Sequence, residues 1–313
     1  MYNLLSKQYE WIIWVELIDS LIDWPNLWVS VCTHWWEIVW LDILKNIIHE
    51  VKLNENILKW KIFLILNNIE AFKKYNELIN DWNKITEKEL VSTRFIEENM
   101  NRCCSIENLK ESNSIEVRRI LELLPVLNKL DFLFDIHSTY SPSDSMMILT
   151  KKSYQEFSDV FNVDKELVWI TEVQVWKPFI DIVERNWWVW IWIESWCQLD
   201  SSWYKIWTDN LLRLLINLWM IDWNLELVKS LLLEKVNKQT LNIFGSVIVK
   251  SREFKFYKDY KHLDKVKTWE LFCFDWEKDL YAEKDFLVIM PKQKLSDASK
   301  LIWEEWCFMW EII

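Results

Sequence analysis

A chain of 313 residues with a single glycine, Gly245, has almost no position that adopts a left-handed backbone at low cost. Tight turns and helix ends in any α/β or β fold require such positions. Ordinary usage of roughly 7% predicts about 22 glycines in a chain this long. The same chain carries 25 tryptophans, close to the number of glycines that are absent. Their placement is that of turn residues: Asp23-Trp24-Pro25-Asn26, Asp81-Trp82-Asn83, Asn186-Trp187-Trp188, Asp222-Trp223 and Asp275-Trp276. Asp-Gly, Asn-Gly and Gly-Gly are the dipeptides that favour positive φ, and an indole there carries the full Cβ penalty. Trp219 follows the apolar run Leu211 to Leu218, where a helix would end on glycine.

These letters are explained by glycine codons translated as tryptophan, since UGA is read as either residue in different genetic codes. The competing explanation is a Trp-rich surface that binds glycans or membranes. The codon explanation predicts that many tryptophans, Trp24, Trp36, Trp187 and Trp276 among them, occupy turns or positive-φ positions. Individual tryptophans such as Trp169 can still be genuine.

The remaining composition is that of a globular protein, 51% hydrophobic and 27% charged. A formal net charge of −11 lacks the basic footprint of a nucleic-acid binder. No apolar run approaches the ~20 residues that span a bilayer, and Met1 to Glu10 shows no secretory signal pattern. Six cysteines without a CxxC pair or regular framework fit a reducing, cytoplasmic setting. Whether the chain forms homo-oligomers is open from sequence.

Apolar runs at Ile12–Glu16, Val29–Cys32, Lys61–Leu66, Phe132–Ile136, Met146–Leu149 and Val189–Glu194 predict strands. Ile38–His49, Ile115–Lys129, Trp207–Leu218 and Leu225–Val236 predict helices. The alternation implies an α/β sheet with helices on both faces. From residue 238 the texture changes to short β runs at Ser246–Lys250, Glu270–Phe274 and Phe286–Met290. The expected organisation is a catalytic domain over 1–237 and a smaller all-β domain over 238–313.

Four histidines limit the candidates for chemistry. His34 follows an apolar strand, with Glu37 three residues on, and α/β sheets place ligands at such strand ends. His137 ends the strand that begins at Phe132. His34, Glu37 and His137 would leave Zn²⁺ one open position, the pattern of a catalytic centre; the alternative is solvated loop histidines. Glu194, ending its own strand, could take a proton from water activated at the metal and pass it to a leaving amine. Two arginines, Arg94 and Arg102, with asparagine between them inside nine residues suit recognition of a carboxylate. His49 and His262 fit structural or surface roles.

With glycine restored, Thr33-His34-Trp35-Trp36-Glu37-Ile38-Val39-Trp40 becomes THGGEIVG. Together with Arg94-Phe95 through Asn101-Arg102, Asp135-Ile136-His137-Ser138-Thr139 and the Glu194 loop, it resembles the succinylglutamate desuccinylase/aspartoacylase family. That resemblance implies a three-layer α/β/α, zinc-carboxypeptidase-like domain with a mixed central sheet and a small C-terminal all-β domain. It implies one Zn²⁺ per chain on His34, Glu37 and His137, and Glu194 as general acid/base. Arg94 would stabilise the oxyanion, while Asn101 and Arg102 would bind the carboxylate of a small N-acyl amino acid substrate. A carboxypeptidase-like peptide hydrolase and a non-catalytic zinc- or ligand-binding relative are the alternatives. Asn99-Met100-Asn101-Arg102-Cys103-Cys104 departs from the family's acidic-Leu-Asn-Arg string followed by an aromatic.

Overall fold

A computed structural model describes residues 6–8, 15–19, 26–31, 33–34, 61–79, 86, 89, 92–138, 146–149, 157–168, 182, 189–195, 203–222, 224, 226–291 and 305–312. The expected helix Ile38–His49, the start of the strand expected at Ile12, and Trp24, Trp36, Trp169 and Trp187 lie outside these residues.

In chain order the elements begin with β1 (Ser6–Gln8), β2 (Val15–Asp19), β3 (Asn26–Val31) and β4 (Lys61–Leu66). Helices α1 (Ile69–Ile79), α2 (Ile106–Glu111) and α3 (Ile115–Leu127) follow. Then come β5 (Phe132–Ser138), β6 (Met146–Leu149), β7 (Lys165–Val168), β8 (Val189–Ser195), α4 (Trp203–Asn217) and α5 (Glu226–Leu231). The last part is all strand: β9 (Gln239–Ile248), β10 (Lys255–Phe256), β11 (Lys265–Val266), β12 (Leu271–Asp275), β13 (Lys278–Tyr281), β14 (Phe286–Ile289) and β15 (Glu305–Ile312).

Twelve of these strands form one sheet in the order β1-β2-β4-β3-β5-β8-β6-β7-β9-β15-β14-β11. Its centre, β4-β3-β5-β8, is parallel, whereas β2 and β6 pair antiparallel to that centre. This is the mixed sheet expected from the resemblance. Alternate residues of a strand face opposite sides. Leu27, Val29, Phe134 and Ile136 therefore pack with α4, while Trp28, Ile65 and Leu133 pack with α3. Three layers result. From β9 onward the pairing is antiparallel, apart from the β7–β9 ladder that joins this part to the sheet. A second sheet, β10-β12-β13, shares an apolar cluster with it, Phe272 and Cys273 of β12 with Val247 of β9 and Phe286 and Val288 of β14.

The predicted helix over Leu225–Val236 stops at Leu231. Buried polar side chains take over the backbone beyond it. Asp209 Oδ1 accepts from Leu233 N–H at 3.0 Å, and Asn162 Oδ1 accepts from Val236 N–H at 2.7 Å. Asn162 Nδ2 also donates to the Glu234 carbonyl at 2.9 Å. A residue-by-residue helix preference does not register such distant partners.

Positive φ falls on Trp219, Leu263, Trp269, Trp276, Glu277 and Met290, so three of the described tryptophans lie in the left-handed region. Trp219 terminates α4: its N–H donates to Ile216 O, and Met220 N–H donates to Leu215 O. That is the Schellman pattern, in which glycine normally holds the left-handed position. Trp276 and Glu277 form the two-residue turn between the paired residues Asp275 and Lys278. Trp269 precedes Glu270, whose N–H closes a turn on Lys267 O. All three indoles are exposed, at 80%, 64% and 78% for Trp219, Trp276 and Trp269. Trp28, Trp192, Trp207 and Trp310 are instead buried in the core. The expectation for turns thus holds at Trp276, as does the separate reading of Trp219 as a helix end.

Candidate active site

Each parallel strand of the central sheet ends on polar residues at one edge. β3 leads to Thr33 and His34, β4 to Asn67 and Asn68, β5 carries His137 and β8 carries Glu194; all six are buried. Crevices beyond the carboxyl ends of parallel strands are where open α/β sheets hold ligands. The register pairs His137 with Glu194 and Ser30 with Asp135. Because Asp135 and His137 are two residues apart, they share the α3 face of the sheet with Leu133.

The His34 and His137 rings meet edge to face with centroids 5.8 Å apart. Two imidazoles on one tetrahedral zinc, with Zn–N near 2 Å, place their centroids roughly 5 Å apart, so the pair fits a shared cation after a small adjustment. Asp135 strengthens the fit. Its Oδ2 lies 2.9 Å from His137 Nε2, while its Oδ1 accepts from the Ser30 hydroxyl. A carboxylate on one ring nitrogen orients the imidazole and gives the other nitrogen the lone pair that a metal needs. Glu37, the expected third ligand, lies outside the described residues. Among the described residues no group of three or more His, Cys, Asp and Glu side chains could hold a metal.

Residues 92–104 lie against the site. Asn99 Oδ1 is 3.3 Å from His34 Nε2 and accepts from Asn101 N–H at 3.0 Å. Asn99 thus faces a histidine with a neutral amide oxygen. Asn101 is buried and its carbonyl accepts from Arg102 Nη1 at 2.8 Å. Arg94 and Arg102 are half-buried in the same segment. His34, His137, Glu194 and Asn101 are therefore gathered at one end of the sheet, with Arg94 and Arg102 on the segment that Asn99 ties to His34.

Sequence reasoning missed Asp135 and Asn99 as partners of the two histidines. The signal was present for Asp135, an acid two residues before His137 in an apolar strand, where only a buried partner makes burial tolerable. The ring of Trp192, two residues before Glu194, lies 4.9 Å from that of His137, and its Nε1 has no hydrogen-bond partner among the described residues.

The class these features define is a three-layer α/β/α protein with a polar site at the carboxyl ends of its parallel strands. The family model for the succinylglutamate desuccinylase/aspartoacylase catalytic domain matches residues 25–161, a span that holds His34, Glu37, Arg94, Asn101, Arg102 and His137 but not Glu194. Succinylglutamate desuccinylase from Vibrio parahaemolyticus shares the fold at a TM-score of 0.69 and 14% identity, over 96% of this chain and 86% of that one. The product-bound ectoine utilization protein EutE (DoeB) from Ruegeria pomeroyi gives 0.61 at 13% identity, over 94% and 87%. Murine aminoacylase 3 gives 0.57 at 12% identity, over 92% and 95%. No curated protein sequence matches the chain. The resemblance drawn from the four motifs is borne out.

Proposed function

We propose that the chain is a zinc-dependent hydrolase that cleaves the amide bond of a small N-acyl amino acid. The observation that carries the reading is the facing pair of His34 and His137, with Glu194 in register beside His137, at the carboxyl edge of the sheet. The names of the structural relatives, desuccinylases and an aminoacylase, support the substrate class.

His34, Glu37 and His137 would hold the zinc, which supplies Lewis acidity that lowers the pKa of water and polarises the scissile carbonyl. Glu194 takes one proton from the attacking water and delivers it to the amine nitrogen as the C–N bond breaks. Arg94 donates hydrogen bonds to the carbonyl oxygen as it gains negative charge, where a fixed cation is worth most. Asn101 and Arg102 bind the carboxylate of the amino-acid portion. The products are a carboxylic acid and a free amino acid. The same reading takes most of the 25 tryptophans as glycine; intact tryptophan in native peptides covering residues 181–203 would overturn that part.

The test expresses the glycine-corrected gene, measures bound metal and follows amine release from N-acetyl and N-succinyl amino acids. Glu194→Gln is expected to lower kcat by about 10²-fold or more while zinc stays bound. A folded chain without zinc, or unchanged turnover in the variant, overturns the assignment.

A further inference from the structure

Glu116, at the start of α3, is completely buried without a basic partner among the bonds that hold it. It accepts four hydrogen bonds instead. Oε1 receives Ile96 N–H at 2.7 Å and Asn68 Nδ2 at 3.2 Å, and Oε2 receives Glu97 N–H at 3.2 Å and Glu98 N–H at 3.1 Å. Three consecutive amides and one side chain thus converge on a single carboxylate. The contact is reciprocal: Ile115 N–H, in the first turn of α3, donates to Glu97 Oε2 at 2.6 Å, and Ser112 Oγ donates to Glu98 Oε1 at 2.9 Å. A negative charge in the first turn of a 13-residue helix is also favoured by the helix dipole.

The amides belong to the segment that carries Arg94 two residues before them and Asn101 and Arg102 a few residues after. Asn68, on the other side of the carboxylate, follows Asn67, whose Nδ2 donates to Thr33 Oγ1 at 2.8 Å and whose N–H donates to Val31 O at 2.9 Å. Thr33 adjoins His34. One carboxylate therefore joins the arginine-bearing segment to the ends of β3 and β4, which deliver the candidate metal ligand.

We infer that Glu116 is a positioning residue of the active site: it fixes the backbone of residues 96–98 so that Arg94, Asn101 and Arg102 stand in register with His34. This rests on the hydrolase reading above for the meaning of the register, but not for the existence of the clamp. A misplacement of about 1 Å in a positioned group can cost 10²-fold in rate, so a single buried anchor has leverage on catalysis without touching substrate.

The test is Glu116→Gln in the full zinc-loaded chain. Gln keeps the size but replaces one acceptor oxygen with a donor that opposes an incoming N–H. Glu97→Ala, at an exposed residue, removes only the reciprocal bond and serves where Glu116→Gln does not fold. Amide hydrogen exchange in peptides covering 94–102 is expected to accelerate about tenfold while exchange elsewhere and zinc content match the parent. KM for the N-acyl amino acid is expected to rise about tenfold, with a smaller fall in kcat. Unchanged exchange at 94–102, or acceleration spread evenly over the chain, overturns the clamp. Should the parent hydrolyse no N-acyl amino acid, local acceleration with zinc retained still supports the clamp while the hydrolase reading fails.

Discussion

Trp219, Trp269 and Trp276 occupy positions where backbone geometry selects the residue and the side chain contacts mostly water. A left-handed conformation costs an L-residue with a Cβ about 1–2 kcal/mol, and glycine returns part of that through its greater freedom when unfolded. Replacing any one of the three with glycine is therefore expected to stabilise the chain by about 1 kcal/mol, read as a higher urea midpoint with the slope unchanged. A loss of stability would mean that the indole is part of the native packing. The buried tryptophans answer a different question. Trp207 packs edge to face on Phe134 at 6.1 Å, so a genuine tryptophan there has a specific partner. Trp192 and Trp310 are buried with their Nε1 lacking a hydrogen-bond partner among the described residues, an arrangement that costs free energy. At this scale the sequence made the turn positions legible because Asp-Trp and helix-end Trp violate a local rule. It left Glu116 and Asn99 obscure because their partners are residues 96–98 and His34, which only the fold brings near.

Among the elements, β4 and β6 coincide with the predicted runs Lys61–Leu66 and Met146–Leu149, since short uninterrupted apolar stretches are bounded sharply. α1 went unread although Asn68 caps it, with Ala71 N–H donating to Asn68 Oδ1 at 3.1 Å; the adjacent strand obscured the change of period. α3 was read correctly over most of its length from its apolar face. Its polar face does the connecting. Arg119 Nε donates to Asn67 O at 3.1 Å and Nη2 to Leu66 O at 2.9 Å, which terminates β4 against the helix. Burial pulls the guanidinium below its usual pKa, while the Glu122 carboxylate at 2.7 Å offsets part of that shift. Arg119→Met keeps much of the packing volume and leaves both carbonyls without these donors. A loss of about 3 kcal/mol is expected in urea denaturation, given 1–3 kcal/mol for each buried group left unsatisfied. A loss under about 0.5 kcal/mol would show that water replaces the guanidinium, as at an ordinary surface site.

On the scale of the whole molecule, the β-rich part after residue 238 and the α/β part before it share a sheet and a core. The β7–β9 ladder runs in parallel register from Lys165 with Gln239 to Val168 with Asn242. Leu241 and Ile243 of β9, Ile289 of β14, and Phe308 and Trp310 of β15 belong to the same apolar cluster as Val117, Ile120 and Leu123 of α3. The change of texture at 238 was legible in the sequence; the continuity was not, because cross-strand pairing leaves no local signature. Ending the chain at residue 237 would expose the β7 edge, a template for association with other chains. It would also uncover the apolar side chains that β9, β14 and β15 bury, at roughly 1.5–3 kcal/mol for each large residue. Against a typical total stability of about 5–15 kcal/mol, that loss is decisive. Residues 1–237 expressed alone are therefore expected to aggregate or lack a cooperative thermal transition, as followed by size-exclusion chromatography and circular dichroism. Co-expression with 238–313 is expected to restore a soluble complex, since the ladder and the cluster need no covalent link. A monomeric fragment 1–237 with the parent's transition would show that the second part covers the first without supporting it.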